Sequence, residues 1–256
     1  MSSRYQAPSV KKAFQILKLI SHADRGLGIS ELARSLGIGK GTVHGITLAL
    51  EEMGTIIRDP LTKRYALGLT LFELGRSAYS QIDLRDLARP VMEELMERAR
   101  ESVFLGALNG DHVTILDVVE SRQDLKITSP IGTTIPLPAG ATAKVFLGLM
   151  EEEKAKEIIS TKGLTKYTEN TITDPEQYME EIRRVRENGY ATDYEEYISG
   201  VRAIVSPIKG GRHSVSALWI VGFKTSLDDH KMKAMIGLTK EAAEEIGRRI
   251  MEQPPI

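Results

Sequence analysis

The chain has no cysteine, which excludes disulfides, thiolate metal sites and cysteine nucleophiles and fits a reducing compartment. It has one tryptophan, so a large ring at any particular site rests on that one indole or on a few phenylalanines and tyrosines. No apolar run reaches the length of a signal peptide at the N-terminus or of a membrane span elsewhere. A cytoplasmic protein with no membrane partner is the expectation. The five histidines, His22, His44, His112, His213 and His230, show no metal-ligand spacing. Neither a nucleophile-elbow motif nor a phosphate-cradling glycine motif occurs. No cofactor, no metal and no catalytic residue is expected.

What remains is an ordinary globular composition, 41% hydrophobic and 27% charged, at a length that allows two cores. Charge is uneven along the chain. Residues 1–83 carry 11 Lys and Arg against 7 Asp and Glu, a net of +4, so the rest carries −5 of the overall −1. A basic front on an acidic body suits nucleic-acid contact at one end.

The most informative stretch is Ile29 to Gly54. Leu32 and Leu36 lie one turn apart on a short helix opened by Ser30 or the residue before it. Ile38 follows in the turn. Val43, Ile46 and Leu50 are spaced three and four apart on a second helix and form one buried stripe. Ala33 suits a steep crossing of two helices, and Gly37 ends the first helix with a left-handed backbone. These offsets predict a helix-turn-helix. The outward face of the second helix then carries Lys40, Gly41, Thr42, His44, Gly45 and Thr47, short or polar residues placed where a recognition helix meets base edges. The competing reading is a helical hairpin inside a core.

Residues 1–8 read as disordered. From Ser9 to about Ala23, Val10, Phe14, Leu17 and Ile20 recur at helical spacing. After the helix-turn-helix, Ile56-Ile57 and Tyr65-Ala66-Leu67 are short strands around a turn with Asp59 and Pro60. Arg58, Lys63 and Arg64 flank that turn and would reach phosphate or the minor groove. Three helices and a basic hairpin make a winged helix. Leu69 to about Gln81 reads as a linking helix with Leu71, Leu74 and Ala78 apolar, and Leu84 to Glu101 as a longer helix after Asp83.

The second half changes character. Val103 to Val119 is a hairpin around Asn109-Gly110. Leu125 to Ser129 offers a further strand. A loop rich in glycine and proline, Pro130 to Thr142, runs into a helix at about Ala143–Met150. Helix continues from Glu151 to about Ser160. Thr173, Pro175 and Glu176 open another helix, Thr173 as its cap, and Asn188-Gly189 closes it. Tyr190 to Glu196 reads as an acidic connection. Strands at Val201–Ile208 and Val215–Phe223 and a last helix from Asp228 to Met251 complete an α+β domain with an antiparallel sheet.

Five segments carry a resemblance: S-E-L-A-R-S-L-G, G-T-V-H, R-Y-A-L-G, P-I-G…P-L-P-A-G-A-T-A-K, and N-T-I-T-D-P…I-R-R-V-R-E-N-G-Y-A-T-D-Y-E-E. Through them the chain resembles IclR-type transcriptional regulators along essentially its whole length. The resemblance implies a winged helix-turn-helix domain at 1–68, a linker helix at 69–82 and a GAF-like effector-binding domain at 83–256. It implies a repressor or activator that binds a pseudo-palindromic double-stranded DNA operator as a homodimer or a dimer of dimers. DNA contacts are expected from Ser30, Arg34, Lys40, Thr42, His44, Thr47, Arg58, Lys63 and Arg64. The family often has Ser and Arg where Gly41 and Gly45 stand here. That shifts base readout toward Lys40, Thr42, His44 and Thr47 and costs about 1 kcal/mol of helix propensity per interior glycine.

The helix start after Pro130–Thr142 would aim the amides of Ala141, Thr142 and Ala143 at an anion, with Ala139, Gly140 and Ala141 small enough for close approach. The resemblance places an effector pocket there, closed by Ile127, Ile135, Asp193, Ala203, Trp219 and Val221. Family members that bind small keto acids carry Ser and Cys where Ala203, Trp219 and Val221 align, and a common His is Pro138 here. Two outcomes stand open: an effector carboxylate with an apolar tail or ring, or a pocket largely filled by Trp219. The rival functions are an enzyme, for which Lys144 and Asp193 are the conceivable pair, and a protein-interaction module.

Overall fold

The computed structural model describes residues 7–80, 84–210 and 215–252. The first six residues of the expected disordered leader, the expected helix end at Gln81, Asp83 and His213 lie outside the described residues. The chain divides into two compact units, Met1–Ile82 and Asp83–Ile256.

The first unit runs α1 (Pro8–Ser21), α2 (Ile29–Leu36), α3 (Lys40–Glu52), β1 (Ile56–Arg58), β2 (Tyr65–Leu67) and α4 (Leu69–Ser80). Its core is the apolar stripe of each helix closed by the hairpin: Ile16 and Ile20, Leu32 and Ala33, Val43 and Leu50, with Ile56 and Tyr65. In α1 the stripe is Ala13, Ile16, Leu17 and Ile20; Val10 and Phe14, expected on it, are exposed. Glu31 sits at the third position of α2 and its Oε2 accepts the Gly28 N–H at 2.8 Å, so the helix opens at Ile29, one residue before Ser30. Gly37 closes it at φ 64, with the Ile38 N–H donating to Ala33 O. Strands β1 and β2 pair antiparallel, Ile56 opposite Leu67. The Asp59 carboxylate accepts the N–H groups of Leu61 and Thr62 and tightens the turn between them.

The second unit runs α5 (Leu84–Ala99), β3 (Ser102–Asn109), β4 (His112–Val119), β5 (Thr134–Pro136), α6 (Gly140–Gly148), α7 (Glu152–Lys162), α8 (Pro175–Asn188), β6 (Ala191–Tyr194), β7 (Val201–Ile208), β8 (Ser216–Phe223) and α9 (Asp229–Glu252). The strands form one antiparallel sheet in the order β5-β4-β3-β8-β7-β6. Alternate residues Phe104, Val205, Ala217 and Trp219 pack one face onto Ala141, Ala143, Val145 and Phe146 of α6. Helices α5 and α9 pack together and against β3, β4, β7 and β8. No helix among the described residues is long and apolar enough to cross a membrane.

Five local expectations are corrected. Leu125–Ser129 is not a strand: the edge of β4 pairs with Thr134–Pro136, inside the segment read as loop, and Leu125 is exposed. Tyr190–Glu196 is not merely a connection, because Ala191–Tyr194 forms β6, with Ala191 and Asp193 turned inward. Helix α6 begins at Gly140, three residues earlier than read. Asp174, not Thr173, caps α8, its Oδ1 accepting the Gln177 N–H at 2.8 Å. Helix α5 stops at Ala99 because Arg100 turns to φ 55, and Glu101 is buried against Lys231 Nζ at 2.6 Å.

Candidate nucleic-acid interface and ligand cavity

Helix α3 presents Lys40, Gly41, Thr42, His44 and Gly45 to solvent, as its spacing required. Thr47 departs from that face. It is completely buried, and its Oγ1 donates to His44 O at 3.0 Å. The reason is periodicity: Thr47 lies four residues after Val43 and three before Leu50, on the stripe that packs into the core. It has no path to a base edge. The outward face instead continues to Leu48, half-exposed four residues after His44.

Ser30 and Arg34 are exposed on α2, one turn apart. Arg58 and Lys63 are exposed on the hairpin, with the Arg58 guanidinium 5.7 Å from the centre of the Tyr65 ring. Arg64 is differently placed. One guanidinium nitrogen donates to Glu31 Oε1 and another to Gly26 O, both at 2.7 Å. The Gly28 amide, and then Arg64, hold the Glu31 carboxyl below its ordinary value. Arg64 thus ties the hairpin to the first turn of α2 and is engaged within the protein.

The second unit contains a cavity of about 260 Å³ between the sheet, the loop leading into α6 and the turn after β6. All nine residues assigned to an effector pocket border it. Ile127, Ile135, Ala203, Trp219 and Val221 form apolar wall, and Gly140, Ala141, Thr142 and Asp193 form the polar end. Sequence reasoning missed Phe104, Tyr197, Thr128 and Ser129, which also border it. Phe104 lies directly opposite Trp219 in the β3–β8 register, and the rings stack at 5.8 Å and 10°. The indole is seated over Gly106, where a β-carbon would meet its ring at 2.6 Å. Trp219 is therefore wall and core at once: it narrows the cavity and leaves it open. Only strand pairing reveals Phe104 as its partner, and no local pattern encodes that.

At the start of α6 the Ala143 N–H donates to Ala139 O at 3.4 Å, so the open helix end comprises Gly140, Ala141 and Thr142 rather than Ala143. Asp193 is nearly buried beside it, and its Oδ1 accepts the Glu196 N–H at 2.6 Å. Burial is the main cause that pushes the Asp193 carboxyl up to about 6. Lys144 does not bond to Asp193. Its buried Nζ donates to Glu196 Oε1 at 2.6 Å and to Thr192 O at 3.2 Å. The conceivable catalytic pair is not formed. Among the described residues there is no cluster of three acidic, histidine or cysteine side chains able to hold a metal.

Residues 9–60 match the IclR helix-turn-helix domain, and residues 76–248 match the bacterial transcriptional regulator IclR C-terminal family. Over 243 residues the chain is 33% identical to the HTH-type transcriptional regulator KipR of Bacillus subtilis, covering 94% of this chain and 96% of that protein. It is 27% identical, at a TM-score of 0.80, to the solved structure of an IclR transcriptional regulator from Alicyclobacillus acidocaldarius, covering 96% of this chain and 100% of that one. An IclR homologue from Microbacterium hydrocarbonoxydans, solved in complex with 4-hydroxybenzoate, shares the fold at a TM-score of 0.76 and 22% identity, with coverage of 96% and 100%. With its exposed α3, its paired β1–β2 hairpin and a six-stranded α+β second unit, the chain belongs to the IclR family of DNA-binding transcriptional regulators.

Proposed function

We propose that the chain is a ligand-responsive regulator whose effector is a small organic acid with an apolar part. The observation that carries this reading is the 260 Å³ cavity, apolar over most of its wall and polar at the open end of α6. A relative of the same fold is complexed with 4-hydroxybenzoate, an acid of that kind. The proposed organisation is a winged helix-turn-helix at 1–68, a linker helix at 69–82 and an effector-binding domain at 83–256, acting in the cytoplasm and without catalysis. Ser30, Arg34, Lys40, Thr42, His44, Arg58 and Lys63 are the proposed contacts to double-stranded DNA.

A pseudo-palindromic operator calls for a symmetric oligomer. Exposed apolar side chains support one: Val10 and Phe14 on α1 and Leu69, Phe72 and Leu74 on α4 are left in solvent by a single chain. The effector alters operator affinity by binding one arrangement of that oligomer better than another.

The test is a titration of the full chain with duplex DNA from upstream of its own gene, with 4-hydroxybenzoate and then pyruvate as probes. Thermal shift on the same samples reports binding directly. The expected result is stabilisation by the aromatic acid and a change of roughly 5–150-fold in DNA affinity. Tighter binding of pyruvate than of any aromatic acid overturns the apolar-part assignment, because the small keto acid has nothing to set against apolar wall.

A further inference from the structure

The polar end of the cavity is built around an acid, and the cations near it are already paired with other carboxylates. Asp193 Oδ1 is held by the Glu196 N–H, with the Tyr197 backbone assisting, and Oδ2 faces the Gly140 backbone. The nearby cations are engaged elsewhere. Lys144, on α6, is bonded to Glu196 at 2.6 Å and to Glu181 of α8 at 3.5 Å. Arg202, on β7, also borders the cavity, but its charge is paired: it donates to Asp229 Oδ1 at 2.7 Å and to Leu227 O at 3.2 Å and lies 3.6 Å from Glu195, and its buried Nε is left without a hydrogen-bond partner. The Tyr178 phenol of α8, the Tyr197 and Tyr167 phenols, Tyr194 and Glu195 are also close by, and none of them brings positive charge. Glu196 repels a charge on Asp193, Lys144 offsets part of that, and burial outweighs both.

An organic acid seated at the open end of α6 therefore meets a second carboxyl while the neighbouring Lys144 and Arg202 are charge-paired with other carboxylates. Two carboxyl groups in contact in an apolar site do not both ionise. The α6 amides favour one negative charge there, not two. We propose that Asp193 receives a hydrogen-bond donor from the ligand, so that a carboxylate ligand is bound together with one proton from solvent, shared between its carboxyl and Asp193. No covalent bond forms or breaks. The inference rests on the organic-acid reading and deepens it: effector occupancy then senses pH as well as effector concentration. A neutral ligand with an N–H or O–H at the same position needs no proton.

Sodium benzoate and benzamide, matched in ring and size, separate these cases by calorimetry on the full chain between about pH 5.5 and about pH 8.5. Each titration is run in two buffers of different ionisation heat, which counts protons. Benzoate is expected to take up about one proton and to lose about tenfold in affinity per pH unit above Asp193's titration, whereas benzamide shows neither effect. Asp193→Asn is expected to abolish both the uptake and the slope. Benzoate affinity that is level across this range without proton uptake overturns the proposal and leaves the organic-acid reading standing. Uptake that persists in Asp193→Asn also overturns it. Failure of both probes to bind at every pH overturns the organic-acid reading and this proposal with it. If the variant does not fold, the proton count on the unmodified chain decides alone.

Discussion

Asp193 Oδ2 lies 2.5 Å from the point that a β-carbon on Gly140 would occupy. Gly140 also has φ 57, a backbone that L side chains resist. Gly140→Ala is therefore expected to displace the carboxylate and strain the start of α6, with a loss of about 1–3 kcal/mol in a urea melt and loss of ligand binding. Wild-type stability in that variant would mean that the two groups are not in contact.

The buried carboxyl also makes a prediction about pH. Asp193 titrates near 6 in the folded chain, above its ordinary 3.8. The folded state thus holds this proton more tightly than the unfolded state. Its contribution to stability is complete below about pH 4 and is lost as pH rises through about 6. Glu196 is shifted in the same direction, first by burial. Between about pH 4 and neutral pH the Asp193 shift costs the folded state of order 3 kcal/mol of stability relative to the unfolded state. Asp193→Asn should raise the urea midpoint at about pH 7.5 more than at about pH 4. An equal shift at both values contradicts the assignment.

Gly41 and Gly45 have open space where their β-carbons would be. Alanine at either is expected to stabilise α3 by up to about 1 kcal/mol, since nothing resists the methyl and the helix gains propensity. The same methyls stand on the face proposed for the groove, so DNA affinity should fall while the melting temperature rises. DNA affinity that does not fall in either variant would place the glycines outside the interface.

Arg64 and Lys63 are neighbours with different expected roles. Lys63 is exposed, whereas Arg64 is bonded to Glu31 and Gly26. Lys63→Ala should lower the salt slope of DNA binding by about one. Arg64→Ala should weaken binding without changing the slope, and Glu31→Ala should do the same although it removes an anion. A DNA affinity that increases in Glu31→Ala would show that Arg64 reaches phosphate when released.

What the sequence revealed was set by period. The stripes of α2 and α3, the Gly37 turn and the β1–β2 hairpin follow from spacing and turn chemistry, and they appear as read. Thr47 was misplaced because a hydroxyl looks outward by composition while its position on the Val43–Leu50 stripe puts it inward. Ala191–Tyr194 hid as a strand because acidic residues flank it and only its alternation, with Ala191 and Asp193 buried, marks β6. The cavity residues came from family likeness, since sheet order brings Asp193 of β6 near Trp219 of β8 and the loop between β4 and β5 adds Ile127, and neither is a local pattern. Phe104 needed the β3–β8 register, which is a long-range pairing.

We propose that α3 of this chain grips duplex DNA through Lys40 and Thr42. A binding titration of the full chain against DNA from upstream of its own gene, with nuclease protection and a salt series, tests it most directly. A protected inverted repeat is expected, with an affinity that falls by roughly a thousandfold or more between about 50 and 200 mM salt. Joint Lys40→Ala and Thr42→Ala substitution is expected to remove protection without lowering the melting temperature. Affinity that is indifferent to salt, or protection that survives both substitutions, would contradict it.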